Sequence, residues 1–167
     1  AGRALTLGVT APLMTAAGAA IQTGMQFDAS MSNVYGLMSS LNLSQAQMDA
    51  LRDTAREMGA TTKFSASEAA DAMGYMALAG WDDAQVIAGI PGVLNLAAAA
   101  NMDLAKASDI VTDTMTPFGM AAERAGEAAD VFAYAQANSN TTVEGLGEAM
   151  KYAAPTADAF GMTLQDT

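Results

Sequence analysis

The sequence predicts an all-α fold, a compact bundle of short amphipathic helices, on three observations. Side chains of the helix-capping type stand just before stretches whose apolar residues recur at three- and four-residue spacing. Glycine and proline punctuate those stretches at intervals too short for long rods. No stretch alternates apolar and polar residues with period two for long enough to make a strand. A chain of 167 residues is the size of one domain, and a 51% hydrophobic content supplies a sizeable core. Only 6% of residues are aromatic, so alanine and the 13 methionines must fill that core, which favours closely packed helices.

The elements follow in order. Residues 1–26 read as a small-residue, apolar lead-in helix, uncharged from position 4 to 26. A bilayer span needs about 20 mostly apolar residues, and this stretch is interrupted by Pro12 and by several threonines and glutamines. Packing on its own domain or on a partner leads, and membrane activity is the second reading. Residues 27–167 read as a helical core region. Ser44-Gln-Ala-Gln47 is a capping box that opens a helix through Met58, with Gly59 as its left-handed stop. Ser65-Ala-Ser-Glu68 is a second box, followed by Ala69, Ala72, Met73, Met76 and Ala77 on one face, with Gly80 as stop and Trp81 folding back on the last turn. Asp82 caps a short helix that Gly89 and Pro91 interrupt before the apolar run from Val93 to Ala100.

Asp103 caps a segment whose stripe is Leu104, Ala107, Val111, Met115 and Phe118, broken by Pro117 and Gly119. A helix from about 122 to 138 gathers Ala128, Val131, Phe132 and Ala135, and the polar loop Asn138-Ser-Asn-Thr-Thr142 ends it. Thr142 caps the last helix, from Val143 to about Ala154, where Pro155 forces a bend or break before Gly161. Trp81, Val111, Met115, Phe118 and Phe132 are expected to be buried together or against a partner chain. An internal echo runs through this pattern. Thr61-Thr62 precedes Ala72-Met-Gly-Tyr-Met-Ala77, and Thr141-Thr142 precedes Ala149-Met-Lys-Tyr-Ala-Ala154, so a duplicated unit near 61–77 and 141–154 competes with shared alanine-rich composition. The polar ending after Leu164 resembles the cap of a further helix, and the chain is expected to be a fragment of a longer, largely helical protein.

The sequence has no histidine and no cysteine, which removes Ser-His-Asp and thiolate catalysis, disulfides and the usual zinc sites. A net charge of -11 repels a phosphate backbone, so direct sequence-specific nucleic-acid binding is not expected. The carboxylate pairs Asp49/Asp53, Glu68/Asp71 and Asp109/Asp113 fall at helical spacing opposite the apolar stripes, where solvated charges outweigh a metal or acid-base site. Gly145-Leu-Gly147 and Gly89-Ile-Pro-Gly92 follow no strand and have no Lys-Ser/Thr partner, so they read as helix punctuation and not as phosphate cradles. Tyr75, Trp81, Tyr134 and Tyr152 read as packing residues ahead of a ligand platform, and the methionines as core filling ahead of an adaptable groove. No catalytic, cofactor-binding or metal residue is expected, and no cofactor.

One ordered set of segments goes further. Gly59-Ala-Thr-Thr-Lys-Phe-Ser-Ala-Ser-Glu-Ala-Ala70, Met76-Ala-Leu-Ala-Gly-Trp81, Ile90-Pro-Gly-Val-Leu-Asn-Leu-Ala-Ala98, Ser108-Asp-Ile-Val-Thr-Asp113, Ala137-Asn-Ser-Asn-Thr141 and Gly147-Glu-Ala-Met-Lys-Tyr152 together resemble the core region of phage tail tape measure proteins. Val9-Thr-Ala-Pro12 and Phe27-Asp-Ala-Ser-Met-Ser-Asn-Val34 look like the family's lead-in, so the resemblance covers nearly the whole chain. It implies a structural virion protein in the lumen of the tail tube that sets tail length during assembly and is expelled during genome ejection. It further implies a period in the host cytoplasm during assembly. The partners it implies are the tail tube protein, tail tip or baseplate hub proteins and tail assembly chaperones, with the protein itself a homo-oligomer, a trimer by preference. A host-membrane contact during ejection is the alternative role of the lead-in. A fully helical rod of this length would reach about 250 Å, but capped short helices fold back, so the ruler must lie mainly elsewhere.

Overall fold

The computed structural model describes residues 11–167, and among these it is all-helical: seven α-helices joined by short loops and three single 3₁₀ turns. The helices are α1 (Ala11–Leu37), α2 (Gln45–Thr61), α3 (Ala66–Leu78), α4 (Asp83–Ala100), α5 (Leu104–Met115), α6 (Ala125–Asn138) and α7 (Val143–Ala159). The 3₁₀ turns span Ser39–Leu41, Ala122–Arg124 and Leu164–Asp166. The first ten positions of the lead-in lie outside the described residues. Within those described, α1 runs unbroken through positions 26 and 27, so the division between lead-in and core region falls inside one helix.

Five starts obey cap chemistry, while α6 follows the turn Ala122–Arg124 with no side-chain cap. Ser44, Ser65 and Asp82 each close a reciprocal capping box with Gln47, Glu68 and Gln85. Asp103 accepts from the amides of Ala105 and Lys106, and Thr142 from that of Gly145. The stops agree less often with the sequence reading. Gly80 does end α3 with φ +92°, and the Trp81 amide reaches back to the Met76 carbonyl at 3.2 Å. Gly59, expected as a stop, sits inside α2, which continues to Thr61. It is small for a packing reason: a Cβ there would lie 2.5 Å from the Ala66 nitrogen at the start of α3.

Pro91, expected to interrupt a helix, and Pro155, expected to bend or break one, both lie inside unbroken helices, Pro91 in α4 and Pro155 in α7, which continues to Ala159. Both proline rings are exposed, so each leaves a carbonyl four residues back without its amide partner but drives nothing into the core. Tertiary packing on the opposite face holds each helix together. Phe118 also departs from expectation. α5 ends at Met115, and Phe118 lies beyond it in the turn, packed against the core without being enclosed. Trp81 is likewise half-buried, while Val111, Met115 and Phe132 are enclosed.

α4 is the hub. Its buried residues, among them Val86, Ile90, Val93, Leu94 and Leu96, point to several sides, and it packs against α2, α3, α5 and α6. Among the described residues it is the one helix long and apolar enough to cross a bilayer, and here that apolar length forms the centre of the core. Its contact with α6 is backbone-close: a Cβ on Gly92 would lie 2.5 Å from the Ala125 carbonyl carbon. α1 lies along α3 with Phe27, Met31, Val34 and Met38 buried, and Arg52 and Arg56 of α2 stand 5.1 and 5.3 Å over the Phe27 ring. Arg52 also pairs with Asp28, and the Tyr35 hydroxyl donates to the Met48 carbonyl at 2.9 Å, which fixes α1 against α2.

Candidate functional site

The residues that could carry chemistry are dispersed. Asp49, Asp53, Glu68, Asp71, Asp109 and Asp113 are all exposed, each pair on the outer face of its own helix. Among the described residues no group of three or more metal-ligating side chains lies together. Glu68 is occupied by its own capping box: the Ser65 amide donates to its carboxylate at 2.7 Å and the Ser65 hydroxyl at 2.8 Å, which hold its pKa below the ordinary value. Asp109 is shifted the other way, chiefly by partial desolvation and then by the neighbouring Asp113, with Lys151 of α7 opposing both. A carboxylate raised by its neighbours is a general-acid candidate only where a cleft gathers further polar groups around it. The hollow beside Asp113 and Lys151 is shallow and lined otherwise by Ala79, Thr112, Thr116 and Pro117.

The glycines sit where helices touch and not where a phosphate could enter. Gly147 receives the Ile110 side chain of α5, 2.6 Å from where its Cβ would be, and Gly89 lies beneath the Trp81 ring. The methionines divide by place. Met31, Met38, Met73, Met76, Met115 and Met150 are buried, so core filling accounts for much of the set. Aromatic residues divide too: Trp81 packs on Gly89, but Tyr134 and Tyr152 are 72% and 83% exposed and Phe160 is 81% exposed. Side chains so open form neither a core nor a ligand platform. Tyr134 on α6, Tyr152 on α7 and Phe160 just after α7 are exposed large apolar surface, a feature the helical periodicity of the sequence did not mark as outward-facing.

This arrangement defines a class: among the described residues, an all-helical module with dispersed, exposed carboxylates and no gathered metal-ligating group. The chain belongs to the phage-related minor tail protein family, whose model matches residues 52–167. It is 39% identical over 166 residues, 99% of its length, to the tape measure protein of Pneumococcus phage Dp-1. It is 30% identical over 122 residues, 73% of its length, to the probable tape measure protein of Escherichia phage P2. The chain spans 14% of the first relative's length and 15% of the second's. No solved structure matches it.

Proposed function

We propose that this chain is a folded region of a tape measure protein, a structural part of a phage tail or tail-like particle that takes part in tail assembly and length determination and leaves the tube when the genome is ejected. The observation that carries the reading is the similarity to a tape measure protein along 99% of the chain, joined to an all-helical body whose carboxylates are dispersed and solvated. In this reading the region is non-enzymatic. Its helices fold back on one another, so it serves as a compact block on a longer protein and leaves the measuring length to other segments. The acidic surface, with a net charge of -11, suits passage beside like-charged DNA without adhesion. The tail tube protein, tip or hub proteins and assembly chaperones are the partners this role requires, and three copies around the tube axis the preferred state.

The test is to follow this region by peptide mass spectrometry through purified tails before and after triggered ejection. The expected result is its presence in loaded tails and its loss from emptied ones; retention after ejection would sink the expelled-component reading. A second reading rests on the uncharged stretch from 4 to 26, continuous in sequence with α1: a membrane-active segment that helps form a conduit for DNA into the host. Dye leakage from anionic vesicles, present with the chain and absent after removal of residues 1–26, is what that reading requires.

A further inference from the structure

Three observations concern the relation between the two halves of the bundle. The first is a constant offset. The N-caps Ser65 and Thr142 stand 77 positions apart, and so do Met73 and Met150 and Tyr75 and Tyr152 on the helices that follow. The same offset carries the buried pair Leu51 and Ala55 of α2 onto the buried pair Ala128 and Phe132 of α6, with the large and small members exchanged. It also carries Val34, buried on α1, and Met38, buried just after its end, onto Val111 and Met115, buried on α5. The packing matches: α1 lies on α3 as α5 lies on α7, and α2 on α3 as α6 on α7.

The second observation is how each third helix ends. α3 closes with Gly80 in the left-handed region, a Trp81 amide bonded back to Met76, and then the Asp82 capping box with Gln85. α7 is 17 residues long against 13, one turn more, and closes in the same way: left-handed Gly161, a Met162 amide bonded back to Ala157, and the Thr163 capping box with Asp166. The helical turn beyond the box also docks alike. Gln47 in the first turn of α2 bonds Asp83 in the first turn of α4, and Glu127 near the start of α6 bonds Gln165 in the turn Leu164–Asp166.

The third is a difference in cover. On α3 Ala69 and Met76 are fully enclosed, and the Met76 methyl meets α4 at Gly89. Their counterparts on α7, Leu146 and Ala153, are only half-buried. From these observations we propose that residues 27–86 and 104–167 are two copies of one unit, and that the open face of α7 around Leu146 and Ala153 is the seat of a fourth helix of α4's kind. Its occupant is an uncharged, apolar, small-residue helix that continues the polypeptide from the turn Leu164–Asp166, as α4 continues from Asp82. The first relative is about seven times the length of the chain, so such regions are flanked there by further polypeptide.

The test uses the absence of cysteine. Ala153→Cys introduces a unique thiol, and its alkylation rate is compared in the 167-residue chain and in the same chain extended after Thr167 by a copy of residues 87–101, which places that copy in α4's register behind the Thr163 cap. The expected result is at least a tenfold slower alkylation in the extended chain, independent of protein concentration, together with added helix by circular dichroism. A copy carrying Ile90→Ser, Val93→Ser and Leu94→Ser should give no protection. Equal rates with and without the apolar copy, equal protection by the serine-bearing copy, or protection that grows with protein concentration would each overturn the proposal, the last by showing that a second molecule fills the seat.

Discussion

Four residues of this chain in the left-handed region, Gly80, Asn101, Gly119 and Gly161, are followed by Trp81, Met102, Met120 and Met162, whose amides bond back five residues to a helical carbonyl. Each pair thus closes a helix with a left-handed residue and an amide bonded back, and of the four apolar residues that follow, Trp81, Met102 and Met120 are partly buried against the core while Met162 is exposed. A side chain with a Cβ costs about 1–2 kcal/mol in that conformation, which glycine avoids and asparagine reduces. Gly80→Ala is therefore expected to lower stability by about 1–2 kcal/mol in urea unfolding, while Asn101→Gly is neutral or slightly stabilising. Phe118→Ala should cost about half of the ~3–5 kcal/mol typical of an enclosed phenylalanine, because one side of its ring remains open. The carboxylates give opposite pH signatures. Glu68, lowered by its bonds from Ser65, contributes stability above the ordinary carboxylate range that is lost as pH falls through its depressed pKa. Asp109, raised by desolvation and by Asp113, weakens the fold at neutral pH and is relieved as pH falls through its raised pKa. Melting temperatures across pH 2–7 should show Ser65→Ala with a shallower acid-side loss, and Asp109→Asn more stable than the parent at pH 7 but level with it once Asp109 is protonated.

At the scale of elements, helix starts are local and helix ends are not. A cap needs only one oxygen-bearing side chain, and a box only a partner three residues on, so the starts after Ser44, Ser65, Asp82, Asp103 and Thr142 were legible in the sequence. The fate of Pro91 was not, because it depends on residues far along the chain. Gly92, the next residue, lets α4 approach the α6 backbone closely, and the close contacts on that face hold the helix through the lost hydrogen bond. Pro91→Ala restores that bond on an exposed position and is expected to stabilise the protein by about 1–3 kcal/mol. Gly92→Ala should do the reverse, with a cost of about 1–3 kcal/mol or more, since its methyl would fall within 2.7 Å of the Ala125 carbonyl oxygen and neither backbone can yield cheaply. Thermal unfolding of the two single variants and of the double variant checks both. A Pro91→Ala protein less stable than the parent would mean that the fixed proline backbone is itself required to bring Gly92 onto α6.

For the whole molecule, what the sequence made legible was class and family, and what it hid was which faces stay open. The absence of histidine and cysteine excludes Ser-His-Asp and thiolate catalysis without reference to any fold. The outward position of Tyr134, Tyr152 and Phe160 could not be read the same way, because an alanine-rich helix offers nearly equivalent faces and the choice between them is made by partners distant in sequence. Two forces meet on this surface. Burying three large aromatic side chains would favour association by roughly 1.5–3 kcal/mol each where enclosure is complete, and a net charge of -11 per copy opposes it. The balance is set by ionic strength, since the screening length falls from about 30 Å at 0.01 M salt to about 3 Å at 1 M. Sedimentation of the chain across that range is expected to show monomer at low salt and a rising share of a larger species, a trimer in the preferred reading, as salt increases. Replacing Tyr152 and Phe160 by serine should abolish the larger species without changing the helix content. A chain that stays monomeric at 1 M salt would show that repulsion was never what kept the copies apart, and any oligomer of the longer protein would then have to be held together by other segments.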